Sequence, residues 1–330
     1  MIKELTKYVV IGILAGFIAY SFTAKKPVSI KVAESTTMTS PSRDSFNHIY
    51  SSVKDSVVTI KTNIGRGSGV IVTDQGHVVT NEHVIRGARE IQIITSDNVS
   101  YSAAIVGTDA ITDIALLKSN YLGEAIIFSD SSKARIGDVV LAIGNPFGVG
   151  QTLTQGIISR TNSGHITENP LDEFLQSDAA INPGNSGGAM VNTSGKLIGI
   201  NTMNLSLGGG SDGIGLAVPS NLVKNIIEQI IEYGQVVRGY VGLSAFDTSN
   251  GVMITKVLKN GPADLAGLKP RDIILSINDV KIKNIKQVVK IVASLEVNQK
   301  ITVKHLRNES ILETVINVAQ MPESHKTINR

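Results

Sequence analysis

Between Ser56 and Pro219 the chain breaks into short apolar segments punctuated by Gly, Asn or Asp. They read "SVVTIKT", "GSGVIVTD", "HVVTNEHV", "EIQIITS", "DVVLAIGNP", "QTLTQGIISRT", "KLIGINTM" and "GIGLAVP". Several alternate apolar and polar residues, the period of a strand with one face on a core. Strands that follow so closely, with no helical pattern between them, fit an all-β sandwich or barrel and argue against βαβ units. Composition agrees: 31 glycines, many Val and Ile residues and only 4% aromatics favour strands joined by tight turns.

The period changes at "PSNLVKNIIEQIIEYG". Leu222, Val223, Ile226, Ile227, Ile230 and Ile231 share one helical face, with Ser220 as N-cap and Gly234 as the residue that ends the helix. A helix closing a β-rich region marks a boundary near Gly234. Mixed strands and two short helices are expected beyond it, and no internal repeat is visible. At the other end, "MIKELTK" precedes Tyr8–Ala24, a stretch without charge. Its length is close to the minimum for a membrane span. Cleavage after Ala24 would put bulky Phe22 at the −3 position, so an uncleaved signal anchor over residues 1–26 is expected ahead of a cleaved signal or a buried helix. Lys3 and Lys7 on one side and Lys25 and Lys26 on the other leave orientation unset. Residues 27–44 are polar, without sustained period, and read as a flexible linker.

The formal net charge is +3 and its basic residues are dispersed, which argues against a nucleic-acid partner. Cysteine is absent, which excludes thiol catalysis, disulfides and Cys-based zinc sites. Among the hydroxyls, Ser186 stands out in "DAAINPGNSGGAMVN". Flanking glycines let the amides of Gly184 and Ser186 converge on one point, as an oxyanion hole requires. A Gly-rich turn is the bland alternative. A serine nucleophile needs a histidine base. His83, in "VVTNEHVI", lies near a strand end beside the core. His77 sits on a "DQGH" turn, His48 in an early helical stretch, and His165, His305 and His325 in polar surroundings. The orienting acid is Asp113, at the rim of the apolar "IALL" run, with Asp109 as runner-up. The chain order His, Asp, Ser is that of the chymotrypsin-type triad. Gly184, Ser186 and Gly188 also satisfy G-x-S-x-G, but "AMVNTSGKLIGIN" after the serine reads strand–turn–strand, where a hydrolase elbow needs a helix. Gly208, Gly210 and Gly213 match G-x-G-x-x-G without opening a helix, which argues against a dinucleotide site.

With these residues placed, the chain becomes recognisable. "TNEHVI", "TDIALLK" and "QSDAAINPGNSGGAMVN" resemble the HtrA (Deg) family of serine proteases, over Ser45 to Pro322. The resemblance implies a mostly β fold: a trypsin-like double β-barrel over residues 45–234, a mixed α/β PDZ domain over 235–322, and a tail over 323–330. It implies His83 as base, Asp113 as orienter, Ser186 as nucleophile and the amides of Gly184, Asn185 and Ser186 as oxyanion hole, with no cofactor and no metal. "RGYVGL" is similar to the family's carboxylate-binding loop, here Gly239, Tyr240, Val241, Gly242 and Leu243. "GPADLAGLKPRDIILSIND" is similar to the PDZ segment that follows, with Arg271 where glycine is usual. In such domains a C-terminal peptide adds to a strand after the loop.

One anchor, one linker, one protease domain and one PDZ domain look most like the membrane-anchored DegS-type branch, while the DegP/DegQ type has a cleaved signal and two PDZ domains. That likeness implies an inner-membrane protein with a periplasmic catalytic face, and a homotrimer in which Phe46 and Tyr50 make contacts between subunits or serve a local core. It further implies activation by C-terminal peptides of unfolded outer-membrane proteins and cleavage of an anti-sigma factor of the RseA type. Ala180 falls where trypsin-like proteases of basic specificity carry an acid. The side-chain pocket before the cut is therefore expected to be apolar, with Ile181, Ile200 and Met203 as further wall candidates. A tethered peptide-binding or holdase module with a lapsed site is the non-enzyme alternative.

Overall fold

Six short strands close on themselves twice. The first set is β1 (Val57–Thr62), β2 (Arg66–Thr73), β3 (His77–Thr80), β4 (Ile91–Ile94), β5 (Ser100–Asp109) and β6 (Ile114–Ser119), a barrel in the order β1-β2-β3-β6-β5-β4. The second set is β7 (Val139–Gly144), β8 (Thr152–Arg160), β9 (Leu175–Ser177), β10 (Ala189–Asn192), β11 (Leu197–Asn204) and β12 (Gly215–Pro219). It closes with the same connectivity, β7-β8-β9-β12-β11-β10. This computed structural model describes residues 43–145, 150–161, 171–204 and 212–322. The expected N-terminal helix, most of the linker, the tail, His165, His325, Gly208 and Gly210 lie outside the described residues. Among the described residues no helix is long and apolar enough to cross a membrane.

Strands β1, β2, β3 and β6 are apolar on both faces because this part of the wall separates two cores. Val58, Ile60, Ile71, Val78, Ile93 and Leu117 fill the first barrel. Val57, Val70, Val79, Ile114 and Leu116 face outward into a core shared with Leu141, Ile143 and Val191 of the second. Runs such as "IALL" are continuous for this reason. Helix α1 (Arg43–Val53) adds Ile49 and Val53 to the shared core, with Phe46 and Tyr50 packed against it. The Tyr50 hydroxyl donates to Gln151 Oε1 at 3.1 Å. A one-turn helix, α2 (Glu82–Ile85), follows β3 directly.

Helix α3 (Ser220–Tyr233) seats Val223, Ile226, Ile227 and Ile230 in the same core and ends on Gly234 at φ +71°. Two details depart from expectation. Pro219 is the residue before the helix, and the Ser220 hydroxyl donates to Ser129 O at 2.6 Å instead of capping. Ile231 is 49% exposed and stands off the buried face.

The C-terminal unit follows. Its elements are β13 (Gly239–Tyr240), β14 (Leu243–Thr248), β15 (Gly251–Val257), α4 (Pro262–Leu265), β16 (Ile273–Ile277), β17 (Val280–Lys281), α5 (Ile285–Ala293), β18 (Lys300–Arg307), β19 (Ser310–Asn317) and β20 (Ala319–Gln320). The main sheet runs β14-β15-β16-β18-β19, with β17 on β16, and β13 pairs β20 separately. Val252, Ile254, Ile274, Val288 and Ile301 belong to its own core. Arg271 has φ +76°, the left-handed conformation that glycine adopts without strain. His305 is fully buried, contrary to its polar sequence surroundings. Its Nε2 meets Thr314 Oγ1 at 2.9 Å and its Nδ1 lies 3.4 Å from Asp272. Burial pushes its pKa down, while the Asp272 charge opposes the shift.

Candidate active site

The three sequence candidates converge at the seam between the barrels. His83 rides on α2, three residues past the end of β3, near a strand end as expected. Asp113 ends the turn between β5 and β6, at φ +60° and 1% exposed. Both of its oxygens are hydrogen-bonded. Oδ1 accepts the His83 backbone N–H at 3.0 Å, and Oδ2 pairs with His83 Nδ1 at 2.7 Å and accepts from Thr202 Oγ1 at 2.8 Å. Burial pushes the Asp113 carboxyl up. The His83 hydrogen bond and charge, the His83 backbone N–H and the Thr202 hydroxyl outweigh it, and the pKa ends below the ordinary carboxylate value. The carboxylate is thus ionised at neutral pH and holds the ring by its Nδ1 edge, which leaves Nε2 for chemistry.

Ser186 lies between β9 and β10. A strand follows it, which excludes the helix-backed elbow. Its hydroxyl donates to Thr202 O at 3.0 Å and not to His83. The loop before it is braced from the first barrel: Ser68 N donates to Ser186 O at 2.8 Å and Ser68 Oγ to Gly184 O at 2.6 Å. Gly187, at φ +82°, has no room for a Cβ, which would sit 2.2 Å from Ser68 O. The glycines that made this loop look like a turn are what let two barrels meet over it.

The oxyanion expectation needs revision. The Asn185 N–H closes a turn on Asn182 O at 2.9 Å and is not available to an oxyanion. Among the described residues the Gly184 and Ser186 N–H groups make no hydrogen bond, so they are the two donors left. The Asn185 side chain is buried, with Oδ1 unpartnered.

A cleft of about 350 Å³ opens beside Ser186, lined in part by Ile181, Asn182, Pro183 and Met203. Two wall candidates are corrected. Ile200 is fully buried in the shared core, because β11 turns that side chain away from the cleft. Ala180 lies outside the lining and offers its carbonyl to Thr154 Oγ1 at 2.8 Å. Sequence reasoning missed Thr202, Ser68 and Arg86. The signal for Thr202 was a lone hydroxyl at the polar end of "KLIGINTM". Asp109, the runner-up acid, is spoken for: Arg238 forks onto it at 2.7 and 2.6 Å, and both are buried.

In the C-terminal unit Val241 O accepts from Ala263 N at 2.9 Å and Gly242 O from Leu258 N at 2.8 Å, with Gly242 at φ +74°. The carbonyls of this loop are held from behind. Gly239 and Tyr240 form β13, and Leu243 opens β14, an edge strand with β15 on one side only.

Residues 67–200 match the trypsin-like peptidase domain and residues 239–318 the PDZ domain. Serine endoprotease DegS of Salmonella typhimurium is 35% identical, across 98% of this chain and 100% of that protein. Periplasmic serine endoprotease DegP of Escherichia coli is 40% identical, across 78% of this chain and 58% of that protein. The chain therefore spans little more than half the length of its DegP relatives. A solved structure of HtrA-type protease AlgW with a decapeptide superposes with a TM-score of 0.79 at 36% identity, covering 84% of this chain and 99% of that one. This chain belongs to the HtrA family of trypsin-like serine endoproteases.

Proposed function

We propose that the chain is a DegS-type periplasmic serine endopeptidase, anchored in the inner membrane by residues 1–26, with its protease domain at 45–234 and its PDZ domain at 235–322. The single observation that carries the catalytic part is the line Thr202–Asp113–His83 ending beside Ser186. His83 Nε2 takes the Ser186 proton, and Oγ attacks the scissile carbonyl. The Gly184 and Ser186 amides receive the oxyanion, and His83 returns its proton to the leaving amine. Asp113 fixes the tautomer and stabilises the imidazolium without changing its own protonation. Ile181 and Met203 make the adjoining wall apolar, which favours small or medium aliphatic side chains before the cut.

The PDZ domain binds free C-termini of unfolded outer-membrane proteins at Gly239–Leu243, the substrate is an anti-sigma factor of the RseA type, and the working assembly is a homotrimer. Near-complete mutual coverage with DegS supports this role. Two contacts support a switched site: Ser186 Oγ rests on Thr202 O, and the Asn182–Asn185 turn holds the loop before it. A peptide that binds one loop arrangement better shifts the equilibrium toward it. The greater identity to DegP favours a second reading, a quality-control protease of broad specificity.

One assay separates the readings. The purified full chain in detergent is incubated with a periplasmic anti-sigma domain or an unfolded protein. Decapeptides with free or amidated apolar C-termini are added, beside Ser186→Ala. Cleavage that needs the free C-terminus and is abolished by Ser186→Ala is expected. Peptide-independent digestion of unfolded proteins favours the DegP-like role. Absence of all cleavage favours a tethered binding module.

A further inference from the structure

Arg86 lines the same cleft as His83 and Ser186. It follows the one-turn helix α2 and its side chain is 51% exposed. Its guanidinium is not loose. Glu82, with 11% of its side chain exposed, receives Nε at 2.9 and 3.1 Å and Nη2 in a closer contact. One edge of the planar fork is thereby fixed on a buried carboxylate. Nη1 has no partner among the described residues. A guanidinium held on one edge presents its other edge as a pre-oriented, two-pronged donor for a second carboxylate.

Among the described residues that line the cleft, Arg86 is the one that offers an exposed cationic donor. Asp113 is buried with both oxygens hydrogen-bonded, and the remaining described lining side chains beyond the triad are neutral. Position on the cleft follows from the chemistry. The acyl half of a substrate lies against the second barrel, where the Gly184 and Ser186 amides and Met203 are. The departing amine must lie against His83, which protonates it. Arg86, three residues further along the first-barrel segment that carries His83, borders the departing chain.

We propose that Arg86 binds a carboxylate on the leaving-group side of the scissile bond, so that the protein prefers Asp or Glu in the first two residues after the cut. This rests on the protease reading above. It adds a specificity subsite to it.

The test uses quenched-fluorescence peptides of one sequence, with Glu, Gln or Lys moved through the positions on both sides of the cleaved bond. They are incubated with the full chain and the free-C-terminus decapeptides. Glu over Gln after the cut is expected to raise kcat/KM roughly two- to fivefold, the upper part of the range for an exposed but well-oriented ion pair. The ratio should shrink as salt is raised. It should fall to about one in Arg86→Gln, survive in part in Arg86→Lys, and turn toward Lys in Arg86→Glu. Because each ratio is taken within one variant, a general loss of activity does not mimic it, and the salt dependence needs no variant. Equal cleavage of Glu and Gln peptides overturns the proposal while leaving the protease reading intact. So does a preference that persists in Arg86→Gln or one confined to residues before the cut. No cleavage of any peptide overturns both.

Discussion

Thr202 is tied to both ends of the triad. Its hydroxyl donates to Asp113 Oδ2 and its carbonyl accepts from Ser186 Oγ. Thr202→Val keeps the shape and removes the donor, leaving a buried carboxylate one hydrogen bond short. A hydrogen bond to a charged group contributes about 1.5–3 kcal/mol, which corresponds to roughly a ten- to hundredfold loss in kcat/KM if it is fully felt in the transition state. Thr202→Ser should restore most of it. The pH dependence has a definite sign. The Asp113 pKa lies below its ordinary value, so its contribution to stability is complete above the ordinary Asp range and is lost as pH falls through the native value. Thr202→Val raises that native value. In a Ser186→Ala background its acid loss of stability should therefore be smaller in total and end at higher pH, read as urea midpoints between neutral and strongly acidic buffer. Ser186 and its partners were legible because chemistry restricts nucleophile, base and acid to few residue types in one chain order. Thr202 was not, because a threonine in a strand is ordinary until its partner across the seam is known.

Strands and the main helix were legible as elements because their periods differ, and boundaries were less so. β5 is the instructive miss: "SYSAAIVGTD" mixes small and polar residues, and five of its ten are exposed. It is recruited by pairing with β4 and β6 more than by its own pattern. His83 reads as near a strand end, and the helical turn that carries it there was not legible: Asn81 and Glu82 turn the chain, with Asn81 Nδ2 and Glu82 N both donating to Asp113 O. Arg271 carries an element-scale prediction. It occupies a left-handed turn between α4 and β16, with its amide on Ile254 O at 2.8 Å. A side chain there is strained, while glycine gives back part of the gain through its freer unfolded chain. Arg271→Gly should stabilise the C-terminal unit by about 0.5–1 kcal/mol, measured by denaturant titration, with peptide binding by that unit retained.

At the scale of the molecule, the Arg238–Asp109 pair joins the residue before β13 to the segment that carries Asp113. No local pattern announced it, since the partners lie far apart in sequence and an acid before a turn has many uses. Asp109→Ala leaves a buried guanidinium uncompensated, and the expected loss is about 3–5 kcal/mol, seen as a lowered thermal midpoint. Replacing both partners, as Asp109→Leu with Arg238→Met, should cost less than either single change, because no charge is stranded. The two closed barrels carry a consequence of another kind. Closure leaves the first part of the molecule without free strand edges, whereas the C-terminal sheet ends in β14 on one side and β19 on the other. On β19, Ile311 and Val315 are 67% and 57% exposed, and Glu313, paired with Lys304 on β18, is the charge that interrupts them. If the protein self-associates on partial unfolding, that edge, at the rim of the C-terminal sheet, is the expected starting point. Glu313 is the gatekeeping charge there, and Glu313→Val should increase aggregation on heating.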